Sequence, residues 1–357
     1  MTTIQQLLEE MVRRGASDLH LTAGVPPILR IDGDLLRTEH EVLKPEMTLQ
    51  LAYSLMNDAQ KKKFEQEREL DLSFGIPGLS RFRANAYLQR GCVALAVRTI
   101  PFEVRSFKEL GLPSVIEDLT RHPKGLVLVT GPTGCGKSTT LAAMIDQLNE
   151  ERKAHVITIE DPIEYVFAHK KCIVNQRQVG SDTNTFAHAL KYALREDPDV
   201  VMIGEMRDLE TIQAALTISE TGHLTLATLH TNSAAESINR IIDIFPSHQQ
   251  PQVRAQLAFV IEGVITQQLL PRINGGRVLS LEVMIATPAI RAMIRDEKVH
   301  QIQSLIQAGQ KYGMQTMNQS LYHLYTTRQI AAGTALSSAR DPDELKRMME
   351  QKSAVLV

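Results

Sequence analysis

The sequence predicts an α/β chain in two parts, a small sheet domain followed by a larger domain built on a parallel sheet with helices on both faces. Three observations predict it. Apolar runs at 126–130, 155–160, 200–203 and 224–229 alternate with segments of helical spacing, the pattern of parallel strands joined by crossover helices. The first of these runs leads into Gly131-Pro132-Thr133-Gly134-Cys135-Gly136-Lys137-Ser138, a G-x-x-x-x-G-K-[ST] turn between a strand and a helix. Before residue 101 the alternation is absent, and three strand-like runs follow one another at 70–76, 81–89 and 92–100.

In chain order, residues 4–14 have the spacing of an amphipathic helix ended by Gly15, and 17–36 alternate apolar and polar residues around Val25-Pro26-Pro27 and Asp32-Gly33-Asp34, which reads as strands with turns. Residues 45–68 read as one helix with Met47, Leu51, Leu55 and Phe64 apolar; its Lys61-Lys62-Lys63 run, followed by Glu65, Glu67 and Glu69, is a solvated face. Residues 1–100 form the first domain. Residues 101–113, with Pro101, Gly111 and Pro113, are the expected linker, and 114–330 the second domain, with a strand at 277–285 and helices after it. Residues 331–357, which mix small residues with one short helix, are expected to be a flexible tail and the least ordered part of the chain.

Composition narrows the class. At 357 residues the chain can bury two cores, and 43% hydrophobic content is that of a globular protein. A net charge of −2 without a basic stripe speaks against a nucleic-acid partner. Cys92, Cys135 and Cys172 form no C-x-x-C pair, which excludes a zinc module or disulfide framework and suits a reducing compartment. The acidic N-terminal stretch lacks a signal-type apolar core, and no run approaches the about 18 apolar residues of a spanning helix. The expectation is a cytoplasmic protein with no integral membrane segment.

The glycine-rich turn carries the chemistry. Glycines let backbone N–H groups converge on an anion, the following helix presents its positive N-terminus, and Lys137 reaches the terminal phosphates of a nucleotide. Ser138 is then the expected Mg²⁺ ligand, with Thr139 completing the cradle. Two acidic stretches sit at the carboxyl ends of strands, where parallel sheets keep their ligand crevice. The first holds Glu160, Asp161 and Glu164, and the second Glu205. Glu205 is the first choice for polarising the attacking water and Glu164 the second, with Glu160 and Asp161 as metal-shell candidates; Asp208 reads as a helix cap. His230, at the end of strand 224–229, is placed to sense the terminal phosphate, whereas His223 lies at the other end. Phosphoryl transfer also needs a cation for developing charge. Arg81 and Arg83 share one face of their strand and Arg98 lies on the next, so arginines in another domain suggest sites shared between subunits.

Taken together, GPTGCGKS, ITIEDPIEY, DPDVVMIGEMRD and TGHLTLATLHTNSAAESINRIIDIFP resemble the Walker A, Asp, Walker B and His boxes of the secretion-superfamily ATPases. The flanks SDLHLTAGVPPILRIDG, SRFRANAYLQRG and KYGMQTMNQSL are similar to its pilus-retraction members. The resemblance implies a PAS-like N-terminal domain, a RecA-like ATPase domain and a homohexamer that binds ATP between the two domains with Mg²⁺. Arg83 and Arg98, with Arg81, would close on the phosphates. It further implies retraction of type IV pili against an inner-membrane platform protein at the inner face of the cytoplasmic membrane, beside a paralogous retraction ATPase. Pilus-extension and type II secretion ATPases are the alternative, but they carry a tetracysteine module and a longer N-terminal region. Retraction members also carry AIRNLIRE, which here reads AIRAMIRD at 289–296, departing at Ala292, Met293 and Asp296 and keeping Arg291 and Arg295. A regulatory nucleotide sensor without hydrolysis and a nucleic-acid motor are the readings from other classes.

Overall fold

The computed structural model describes residues 2–31, 33–76, 78–100 and 103–353, and it divides into two compact units, Met1–Glu103 with Glu164–Val166, and Val104–Ile163 with Phe167–Val357.

The first unit carries helices α1 (Ile4–Arg13), α2 (Pro45–Tyr53) and α3 (Asp58–Glu67) and strands β1 (Asp18–Leu21), β2 (Ile28–Ile31), β3 (Asp34–Arg37), β4 (Glu69–Ile76), β5 (Ser80–Gln89) and β6 (Cys92–Ile100). These form one antiparallel sheet in the order β3-β2-β1-β6-β5-β4, the PAS-like part of the fold. Its core joins Leu7, Leu8 and Met11 of α1 to Leu19, Phe82 and Leu95 of the sheet. The single helix expected over 45–68 is two helices. Asn57 accepts from the Gln60 backbone while the Gln60 side chain accepts from the Asn57 backbone, a reciprocal cap that starts a new helix rather than continuing the old one.

The second unit contains α4 (Phe107–Leu110), α5 (Ser114–Thr120), β7 (Gly125–Thr130), α6 (Lys137–Glu151), β8 (His155–Glu160), β9 (Ile173–Gln178), α7 (Phe186–Ala193), β10 (Val200–Ile203), α8 (Leu209–Glu220), β11 (Leu224–Leu229), α9 (Ala234–Asp243), α10 (Gln250–Val260), β12 (Ile261–Pro271), β13 (Arg277–Ile285), α11 (Pro288–Arg295), α12 (Ile302–Ala308), α13 (Met317–Thr326), α14 (Ala332–Ser338) and α15 (Pro342–Ser353). Its seven strands run β13-β12-β7-β11-β10-β8-β9, parallel from β12 through β9, with β13 antiparallel at one edge. Every residue of β7, β10 and β11 is buried, which is why these strands read as unbroken apolar runs. This is the RecA-like part of the fold. No helix among the described residues is long and apolar enough to cross a membrane.

Two stretches carry more regular structure than the sequence suggests. Of the linker, Pro101 and Phe102 lie outside the described residues, but α4 occupies its middle because Ser106 and Glu109 form a capping box and Phe107 and Leu112 are buried. The tail expected to be flexible from 331 forms α14 and α15, since Ala335 and Leu345 are fully buried against Leu321, Leu324 and Ile330; residues 354–357 lie outside the described residues. Small residues there permit close helix packing rather than disorder.

Candidate active site

The cradle forms where β7 ends. Gly131 has φ 139°, and a Cβ there would lie 2.3 Å from the Gln267 carbonyl oxygen and 2.7 Å from Cys135 Sγ, so only glycine passes between these groups. Gly136, at φ 92°, turns the chain into α6 as its N-cap. Between them Pro132, Thr133 and Gly134 are exposed, while Cys135 is buried and Ser138 and Thr139 are half-buried in the first turn. Lys137 Nζ donates to the carbonyls of Gly131 at 2.9 Å and Pro132 at 3.1 Å, which holds the ammonium over the loop.

Strand order brings the next groups to it. β11 is the neighbour of β7 and β10 the neighbour of β11, so residues after their carboxyl ends converge. His230 Nδ1 lies 3.5 Å from Lys137 Nζ, and its Nε2 lies 3.1 Å from Glu205 Oε1. Arg207 Nη2 takes the other oxygen of Glu205 at 2.7 Å. Burial pushes the Glu205 carboxyl up, but the Arg207 hydrogen bond and the charges of His230 and Arg207 outweigh it, so Glu205 is held below the usual glutamate range and is ionised at neutral pH. The backbone leading to it is fixed: Thr228 Oγ1 donates to the Gly204 carbonyl, and Met206 N donates to the Thr228 carbonyl at 3.1 Å.

The other acids stand further off. β8 is three strands from β7, roughly 14 Å at ordinary strand spacing, and Glu160 at its end is buried, accepting from Thr158 Oγ1 at 2.6 Å and Gln176 Nε2 at 3.2 Å. Asp161 is exposed beside it, and its charge is felt by Arg207. Glu164, by contrast, clusters with the N-terminal unit. Asp208 caps α8 by accepting from Thr211 N at 2.8 Å, and His223 is occupied at the far end of β11 with Thr221 and the Ile218 carbonyl.

In the N-terminal unit, Arg83 and Arg98 face each other directly across β5 and β6, a like-charge pair that is unfavourable unless each has a counterion. Each has one. Arg98 Nε donates to Asp18 Oδ1 at 2.7 Å while its side chain stays 71% exposed, and Arg83 lies 4.0 Å from Asp71. Burial pushes Asp18 up, yet hydrogen bonds from Ser17 and Arg98 hold it below its ordinary value. Arg81, on the same face as Arg83, donates to Ser73 Oγ at 3.3 Å.

Two participants escaped the sequence reading. Arg207 stands two residues after Glu205, close enough in sequence to give a local signal of pairing. Gln267 gave none, because its place depends on β12 pairing with β7, which no spacing reveals. Beside the cradle, a cleft of about 430 Å³ is lined by Thr139, Gln267 and Leu269 together with Arg105, Arg272 and Arg277.

A parallel sheet with a glycine-rich phosphate loop after one strand, a lysine in that loop and a carboxylate delivered two strands away defines a P-loop ATPase of RecA-like fold. The chain belongs to the Type II/IV secretion system protein family, whose model matches residues 1–277. It is 50% identical over 340 residues to the type IV pilus retraction ATPase PilT of Pseudomonas aeruginosa, covering 95% of this chain and 99% of that one. To the type IV pilus ATPase PilU of the same organism it is 41% identical, covering 97% and 91%. The crystal structure of the pilus retraction motor PilT with bound ADP superposes with a TM-score of 0.92 at 53% identity, covering 97% of this chain and all of that one.

Proposed function

We propose that this protein hydrolyses ATP to retract type IV pili, as a homohexameric motor at the inner face of the cytoplasmic membrane. The observation that carries this reading is the full-length likeness to a retraction ATPase together with an intact Lys137–His230–Glu205 chain. ATP lies with its phosphates on residues 131–139 and its base and ribose in the adjoining cleft. Lys137 leaves the Gly131 and Pro132 carbonyls for the β- and γ-phosphates. Glu205 orients and polarises the attacking water, and His230 reports the terminal phosphate to it. Glu164 is the second carboxylate proposed for this step. Arg83 and Arg98, with Arg81 beside them, supply positive charge to the transferred phosphoryl group, the role that raises turnover by roughly 10³–10⁵ in related enzymes.

The residues fit a magnesium ion, which takes hard oxygen donors and keeps several waters. Ser138, in the first turn after the cradle, would hold it directly, and Glu160 and Asp161 remain the proposed further metal-shell carboxylates. The ion supplies charge neutralisation between the phosphates when present. An inner-membrane platform protein is the proposed load, a paralogous retraction ATPase a second partner, and segment 101–113 the route by which force passes.

The test is the number of surface pili on cells lacking the protein, with Lys137→Ala as a second allele. Excess pili and lost surface motility in both are expected. Bald cells would make this an assembly motor, the alternative within the superfamily.

A further inference from the structure

The phosphate loop does not hold its shape alone. Gln267, on β12, touches it at entry, middle and exit. Its backbone carbonyl sits against Gly131, its Nε2 donates to the Cys135 carbonyl at 2.8 Å, and its Oε1 accepts from Thr140 Oγ1 at 3.0 Å in the first turn of α6. The preceding residue adds a fourth tie, Thr266 Oγ1 to Thr130 Oγ1 at 2.8 Å, at the last residue of β7. Gln267, Thr266, Thr130 and Thr140 are all buried. The middle contact has the clearest consequence. A trans peptide points its C=O and the next N–H in opposite directions, so drawing the Cys135 carbonyl toward Gln267 aims the Gly136 N–H away from Gln267.

We infer that Gln267 is a positioning residue for nucleotide binding: it fixes the peptide planes of residues 131–140 in the anion-binding arrangement before nucleotide arrives. The inference rests on the reading of residues 131–138 as the phosphate site. A buried amide suits the task because it donates to the middle of the loop and accepts from the helix turn at its exit, which neither a carboxylate nor an apolar side chain does. A loop already in its bound shape loses less conformational freedom on binding. Ground and transition states both use the loop, so the contribution belongs to uniform binding, and its loss raises KM more than it lowers kcat.

The experiment uses the purified full chain, with fluorescent ADP as probe and ATP turnover measured in parallel. Gln267→Met, close in volume but without either hydrogen bond, is expected to raise the ADP Kd and the ATP KM about tenfold while kcat at saturating ATP stays within about threefold. Thr140→Val, which removes a single hydroxyl, is expected to raise both constants by a smaller factor, and to add nothing when combined with Gln267→Met. A Gln267→Met protein that melts at lower temperature but keeps wild-type Kd and KM would reduce Gln267 to packing and overturn the inference. Should that variant not fold, Thr140→Val decides alone, an unchanged Kd counting against the inference. Lys137→Ala is titrated alongside, since tight ADP binding there would instead overturn the phosphate-site reading itself.

Discussion

At the scale of single residues, Glu205 is governed by its neighbours. Arg207 and His230 hold its carboxyl below the usual range against the opposing effect of burial. A lowered folded-state value means that Glu205 stays ionised as pH falls, until the pH reaches that lowered value. Removing Arg207 leaves burial less opposed and raises it. Arg207→Gln is therefore expected to move the acidic limb of the kcat/KM profile to higher pH, so that activity at pH 5.5 falls by a larger factor than at pH 8. A limb that stays where it was would mean that Arg207 does not set the ionisation of Glu205. Lys137 and the glycines were legible in the sequence because their chemistry is local: eight consecutive residues specify a loop. The pairing of Glu205 with His230, 25 positions apart, was legible only as two strand ends pointing into one crevice. Gln267 was not legible at all, since its three contacts come from a strand more than a hundred residues after the loop.

At the scale of elements, the buried parallel strands announced themselves through unbroken apolar runs, whereas β9 did not, because this edge strand reads Ile-Val-Asn-Gln-Arg-Gln, with polar residues in four of its six positions and only Val174 and Gln178 buried. β12 was hidden for another reason. It follows α10 without a break at Val260–Ile261, so no turn residue separates helix from strand. At the C-terminus the sequence suggests one short helix where there are two, because small residues and charges resemble a tail until their packing is known. Their docking is testable: Leu345 is fully buried with Leu321 and Leu324, so Leu345→Ala is expected to destabilise the ATPase unit by about 2–4 kcal/mol in denaturant unfolding. A change below about 0.5 kcal/mol would return residues 331–353 to the flexible tail read from composition.

At the scale of the whole molecule, a near-neutral chain carries a sheet unit bearing opposed arginines and an ATPase unit whose cradle, histidine and glutamate form one run of contacts. The two-part α/β organisation was legible because strand succession in one half and strand–helix alternation in the other are statements about period. What the sequence left open was distance: the order β7-β11-β10-β8 ranks the candidate acids, placing Glu205 two strands from the cradle and Glu160 three. The central claim is that Glu205 activates water for ATP bound at Lys137. Phosphate release by the purified full chain tests it most directly. Glu205→Gln keeps the side chain's shape and hydrogen-bonding reach to His230 but not its basicity, and it is expected to bind ADP as the wild type does while turnover falls about 10²-fold or more. Turnover within a few-fold of wild type would remove Glu205 from the chemistry and contradict the account.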